Sequence, residues 1–166
     1  MSYLDAISRW LKATGLSWAM LHYTWVWPTC QILHLIGMAF LVGIVGFLDL
    51  RILGIGKGIP ISMVHQLLPW GIAGFVLNMT TGILFYIGDP FQYLHARVFH
   101  FKMLFILVAG LNVLYFYLSG LLAKVEALGP VEDAPLSAKV IAVVSLTIWV
   151  GVIYLGRMLP FLGDSF

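Results

Sequence analysis

The segment CQILHLIGMAFLVGIVGFLDLRILG, residues 30–54, decides the fold because nearly every residue from Ile32 to Leu48 is apolar. A bilayer core about 30 Å thick is crossed by roughly 20 apolar residues in a helix. The segment is therefore predicted to be a membrane-spanning helix. Between Ile32 and Leu48 the ionisable residue is His34, and an imidazole inside a span is by default a candidate for function.

The composition of the whole chain is that of a membrane protein. Its 166 residues are 61% hydrophobic and 10% charged, and the mean hydropathy is +1.00. Soluble domains carry about 25% charged residues, so this chain could not cover itself in water. The net charge is +2 and no long basic run is present, so nucleic acid is not expected as a partner.

The predicted fold is all-α: an integral membrane four-helix bundle, with residues 1–166 forming one domain. Helices are required because lipid offers no partners for unpaired backbone groups. Residues 1–26 combine apolar and basic residues at helical spacing, which predicts an amphipathic helix lying in the membrane interface. The four apolar segments that we expect to span the bilayer are about 27–48, 68–87, 98–123 and 138–159.

A second histidine, His100, lies near the start of the third span, on the same side of the membrane as His34. Two neutral imidazoles from different helices can hold haem b axially, while an apolar bundle encloses the porphyrin. Gly37, one turn from His34, leaves room for a flat macrocycle or a neighbouring helix. Three basic residues on the same side are candidates to pair with the haem propionates: Arg97, Lys102 and Arg157.

Two other roles for His34 remain open from the sequence. Cys30, His34 and Met38 share one helical stripe, and their thiolate, imidazole and thioether groups suit Cu(I). Neighbours in that stripe are about 6 Å apart along the axis, so one ion could bind adjacent pairs more readily than all three. Alternatively, His34 donates a hydrogen bond to another helix within a cofactor-free scaffold or an accessory subunit of a larger complex.

The sequence contains no constellation typical of an enzyme, so we expect a redox carrier or an accessory subunit. The primary hypothesis is a membrane electron-transfer module with one haem b. It would exchange electrons with a quinol or a partner redox protein at the face that carries the histidines. The apolar faces favour a homo-oligomer or a larger membrane complex as well as the lipid bilayer itself.

Two passages, HLIGMAFLVGIVGFLDLRILG and FHFKMLFILVAGLNVLYFY, resemble a bacterial family of small four-helix membrane proteins of unassigned function. The shared pattern is His-x-x-Gly ending in Asp-Leu-Arg-x-Leu-Gly, followed by Phe-x-x-Lys and Ala-Gly-Leu-Asn. The chain also looks distantly like small b-type cytochromes and copper-resistance membrane domains. The resemblance implies the four-helix fold and a place in the bacterial cytoplasmic membrane.

Overall fold

The computed structural model describes residues 3–129 and 132–162, and every regular element within them is a helix, which confirms the all-α prediction. In chain order the helices are α1 (Tyr3–Lys12), α2 (Gly15–His22), α3 (Val26–Ile52), α4 (Ile61–His65), α5 (Leu68–Gly88), α6 (Pro90–His95), α7 (Arg97–Leu118), α8 (Leu121–Glu126) and α9 (Leu136–Leu162).

Four helical segments of the described residues are long and apolar enough to cross a membrane: α3, the stretch Ile61–Gly88 that comprises α4 and α5, α7, and α9. Large apolar side chains cover their outer faces; Leu35 on α3 is 63% exposed and Leu107 on α7 is 59% exposed. Contiguous exposed apolar surface marks a site of membrane or protein contact. The four apolar helices therefore indicate a membrane protein whose outer faces contact lipid.

The bundle consists of two tightly packed helix pairs. α3 packs along α5, α7 packs along α9, and a smaller contact between α3 and α9 joins the pairs. Gly37 and Gly74 bring the backbones of α3 and α5 together, since a Cβ added at Gly37 would lie 2.8 Å from the Gly74 carbonyl oxygen. Small residues commonly permit such close approach between membrane helices.

The third spanning helix is shorter than the sequence suggested. The apolar run continues to about residue 123, but α7 ends at Leu118. Gly120 has a φ of 70°, in the left-handed region that glycine adopts without a steric penalty, and α8 begins at the next residue. The break therefore divides the apolar run into a spanning helix and a short helix at its end.

The N-terminal segment, predicted as one interfacial helix over residues 1–26, forms two helices; residues 1–2 lie outside the described ranges. Thr14 separates them and caps α2, accepting a hydrogen bond from the Ser17 backbone N–H at 3.3 Å. α1 packs against α6, where the Asp5 carboxylate lies 3.3 Å from Nε2 of His95. The segment is thus attached to the end of the bundle where α5 leads into α6.

Candidate functional site

A cavity of about 410 Å³ lies between the two helix pairs. Its walls come from α3, α5, α7 and α9, with one residue, Leu94, contributed by α6. Ligand and cofactor sites in proteins commonly have volumes of about 300–1,000 Å³ and mostly apolar walls. We call it the α5–α7 cavity because it occupies the position where those two helices would otherwise meet.

The cavity opens sideways, between α5 and α7. These helices are not among the closely packed pairs of the bundle. Five residues that line the cavity are themselves exposed: Phe75, Met79 and Ile83 on α5, Met103 on α7 and Ile153 on α9. Because these residues lie within spanning helices, the mouth of the cavity faces the lipid.

His34 lines this cavity, and its orientation is fixed by α5. Nδ1 of His34 lies 2.7 Å from Oγ1 of Thr81, and the same hydroxyl donates to the Leu77 carbonyl oxygen at 2.7 Å. A threonine hydroxyl has one hydrogen; when that hydrogen goes to the Leu77 carbonyl oxygen, the Thr81 oxygen accepts from Nδ1 of the imidazole. The tautomer therefore leaves the lone pair of Nε2 for a ligand.

Lys102 lines the cavity at about the same depth as His34. Leu41 of α3 and Ala109 of α7 belong to one packed cluster. His34 lies seven positions before Leu41, and Lys102 lies seven positions before Ala109. Seven residues of helix span about 10 Å, and both helices enter from the same face. Nζ of Lys102 lies beside Gly156, 3.3 Å from the position of an added Cβ.

The remaining polar residues of the cavity lining are Asn78, Tyr86 and Trp149, none of them an acid. Nε1 of Trp149 is buried and has no hydrogen-bond partner among the described residues. The carboxamide nitrogen of Asn78 donates to the Gly74 carbonyl oxygen at 3.2 Å. No aspartate or glutamate of the described ranges lines the cavity. A lysine charge within a membrane helix costs about 2.5–3.5 kcal/mol on insertion scales, so an uncompensated Lys102 is a notable feature.

His100, which the sequence predicted as the partner of His34, is not brought to this cavity. His100 is exposed, and its Nδ1 lies 3.0 Å from the Ala96 carbonyl oxygen of the preceding turn. Arg97 and Arg157, the other predicted propionate partners, are also exposed and do not line the cavity; Arg157 lies over the Phe161 ring. Of the predicted haem-binding set, the cavity therefore contains His34 and Lys102.

Gly37 and Cys30 have packing roles in this structure. The surface of Gly37 is covered by Gly74 and Asn78 of α5, so a neighbouring helix takes the space offered to a macrocycle. Cys30 is buried in a cluster with Met20 and Phe85, whereas Met38 lines the cavity with His34. Within residues 3–129 and 132–162, no three His, Cys, Asp or Glu side chains form a metal-binding group.

Two side-chain groupings that bear on function are among the features not predicted from the sequence. The first is the identity of Thr81, 47 residues away in the chain, as the partner of His34; a hydrogen bond from His34 to another helix was itself one of the alternatives open from the sequence. The second is a hydrogen-bonded group near the other end of the bundle, where Nδ1 of His65 lies 2.9 Å from Glu126 and its Nε2 lies 3.1 Å from the Tyr117 hydroxyl. Neither contact leaves a local pattern, because each joins separate helices.

The comparisons with known proteins identify the family of the chain. A family of unknown function, DUF6644, matches residues 7–162, so the chain belongs to that family. Neither curated proteins nor solved structures gave a match. The family match agrees with the predicted resemblance to a family of unassigned function, and nothing in the comparisons supports the likeness to cytochromes or copper-resistance domains.

Proposed function

We propose that this member of the DUF6644 family is a membrane electron-transfer module whose α5–α7 cavity would hold one haem b, with Nε2 of His34 binding the iron. The observation that carries the proposal is the bond between Nδ1 of His34 and Thr81. Metal-binding histidines usually donate their other ring N–H to a second group, which fixes the tautomer and the ring orientation. Here that requirement is met by the protein itself.

The surroundings of His34 are compatible with this role. The cavity walls are mostly apolar, and burial of a haem in apolar surroundings is one means of setting its potential. The ring of Phe85 meets the His34 ring edge-on at 5.6 Å and restricts its rotation. A quinol or a redox protein at the face that carries the histidines is the proposed electron partner.

The proposal assigns iron binding to His34 and not to His100. The sequence predicted both as ligands, but His100 is exposed and lies outside the cavity lining. The two residues therefore form a matched pair of variants in which the same side chain is removed inside and outside the cavity.

The test is a visible spectrum of purified protein after expression with ample haem supply. We expect a Soret band in the wild type, its loss in His34→Ala and its retention in His100→Ala. Absence of the band from the wild type would remove the haem proposal. A His34→Ala variant that keeps a full haem complement would refute the ligand assignment.

The copper alternative is tested on the same sample. His34 and Met38 both line the cavity, so an imidazole and a thioether are available to one Cu(I) ion. Copper analysis above background in the wild type, reduced in Met38→Leu, would favour that function. A protein with neither a Soret band nor copper would instead be assigned as a cofactor-free scaffold or an accessory subunit of a larger membrane complex.

A further inference from the structure

We infer that the α5–α7 cavity takes an amphiphile that carries a carboxylate, and that Lys102 binds this carboxylate next to His34. This cavity is the one assigned to haem above. The inference rests on the proposed function only if the carboxylate is a haem propionate. It applies equally to a long-chain carboxylate drawn from the bilayer.

The charge of the cavity is the first argument. Lys102 is half-buried, and among the described residues it has no carboxylate within ion-pair distance. The Lys102 side chain lies along α9 beside Gly156 and occupies space that a larger residue at position 156 would fill. An intramembrane charge normally has a partner, and the cavity lining contains no acidic residue to serve as one. A ligand carboxylate would supply the missing charge.

The hydrogen-bonding groups of the cavity are the second argument. Lys102 can only donate, whereas His34, Asn78 and Tyr86 also line the cavity and can accept as well as donate. The part of the ligand that lies against Lys102 must therefore be an acceptor. Among acceptors, an anion also balances the Lys102 charge, which a neutral carbonyl or hydroxyl oxygen cannot do.

The shape of the site indicates what the rest of the ligand is. Apart from its few polar groups, the cavity is lined by aliphatic, aromatic and methionine side chains. Its mouth between Met79, Ile83 and Met103 faces the lipid, so an apolar molecule could enter without crossing water. A carboxylate attached to a large apolar group would match both the apolar walls and the positive charge of Lys102.

The experiment compares pairs of ligands that differ only in charge. The full-length protein in neutral-lipid nanodiscs is titrated with haem b and with its dimethyl ester, followed by absorbance, and with oleate and oleyl alcohol, followed by calorimetry. In at least one pair we expect the carboxylate form to bind the wild type at least tenfold more tightly than the neutral form.

Three variants assign that preference to Lys102. Lys102→Met should bind the charged and neutral forms equally, whereas Lys102→Arg should retain the preference. Arg157→Met is the control, because it removes an exposed positive charge outside the cavity, and its preference should match the wild type. Helix content and a monodisperse elution profile establish that each variant is folded.

The outcomes separate this inference from the haem proposal. Discrimination between oleate and oleyl alcohol without a Soret band would support the inference and remove the haem function. Haem binding through His34 with no preference in either pair would retain the haem function and overturn the inference. A preference for the carboxylate form that survives unchanged in a folded Lys102→Met would also overturn the inference. If that variant does not fold, the comparison of charged and neutral ligands on the wild type decides alone.

Discussion

The two sides of α5 differ sharply in how they meet their neighbours. Toward α3, Gly37 and Gly74 bring the backbones into contact, and at this crossing neither glycine has room for a Cβ. Toward α7, the same helix borders a cavity of about 410 Å³. The difference shows that the bundle is two closed pairs joined along one side, α3 with α9, rather than a ring of four equal contacts. The open side is where a ligand can enter.

The closed side can be broken by one methyl group, and we expect the largest effect on stability there. In Gly37→Ala the added Cβ would lie 2.8 Å from the Gly74 carbonyl oxygen, so α3 and α5 must separate. Overpacking of this kind costs about 1–3 kcal/mol, and contact with backbone places this site at the upper end. Reaction of a thiol-sensitive dye with Cys30, the chain's one cysteine and a buried one, reports unfolding on heating.

Gly43→Ala is the matched control on the same helix. A Cβ at Gly43 would meet nothing within 4 Å, and alanine is preferred over glycine in a helix by about 1 kcal/mol. Its Tm should equal or slightly exceed that of the wild type. Equal Tm values for Gly37→Ala and Gly43→Ala would contradict the close α3–α5 contact.

An intermediate effect is expected where the closed side meets the cavity. Thr81→Val keeps the side-chain shape but removes the acceptor for Nδ1 of His34, at a cost of about 1 kcal/mol. Loss of such a supporting group typically lowers metal-site affinity 10–100-fold, so haem binding should weaken correspondingly. The measurements are Tm and an absorbance titration with haem.

Thr80→Val provides the comparison for that variant. Among the described residues, the hydroxyl of Thr80 bonds only to the Val76 carbonyl oxygen of its own helix, at 2.9 Å, and the residue is exposed. Both Tm and haem affinity should therefore remain at wild-type values. A Thr81→Val protein indistinguishable from Thr80→Val would show that α5 does not hold the His34 ring.

The smallest effect is expected at Asp133, in the connection before α9. Lys57 at 2.9 Å and Lys139 at 3.3 Å donate hydrogen bonds to this exposed carboxylate and lower its pKa below the usual range. The stabilisation is therefore present above the unfolded-state pKa and is lost as the pH falls through the lower folded-state pKa. Wild type and Asp133→Asn should differ slightly in Tm at neutral pH and converge below about pH 4. A difference that grows on acidification would contradict this assignment.

The spanning helices could be predicted from the sequence, and the cavity could not. Long apolar runs predict helices without reference to neighbours, because unpaired backbone groups are not tolerated in lipid. The third span was the exception, since the αL residue Gly120 ends it inside an apolar run. His34 could be recognised as a candidate because an imidazole is conspicuous in a span. Its partner Thr81 could not, because nothing local indicates which helix will face it.

The choice between His100 and Lys102 illustrates the same limit. Residues two apart on a helix point about 200° away from each other, so one rotation of α7 cannot present both to the cavity. The histidine was the more conspicuous residue, yet the structure presents Lys102. The rotation is set by packing along α9, where Phe105 fits against the bare backbone of Gly151. Such pairings depend on shape and lie outside any periodic pattern.

The sequence by itself determined that four stretches of this chain are helices that lipid can surround, because hydropathy and backbone hydrogen bonding act on each stretch separately. The tertiary structure alone decided which faces of those helices meet. Close packing depends on the fit of side chains from distant segments, and that fit closed α3 on α5, left α5 apart from α7, and placed His34 and Lys102 on one cavity.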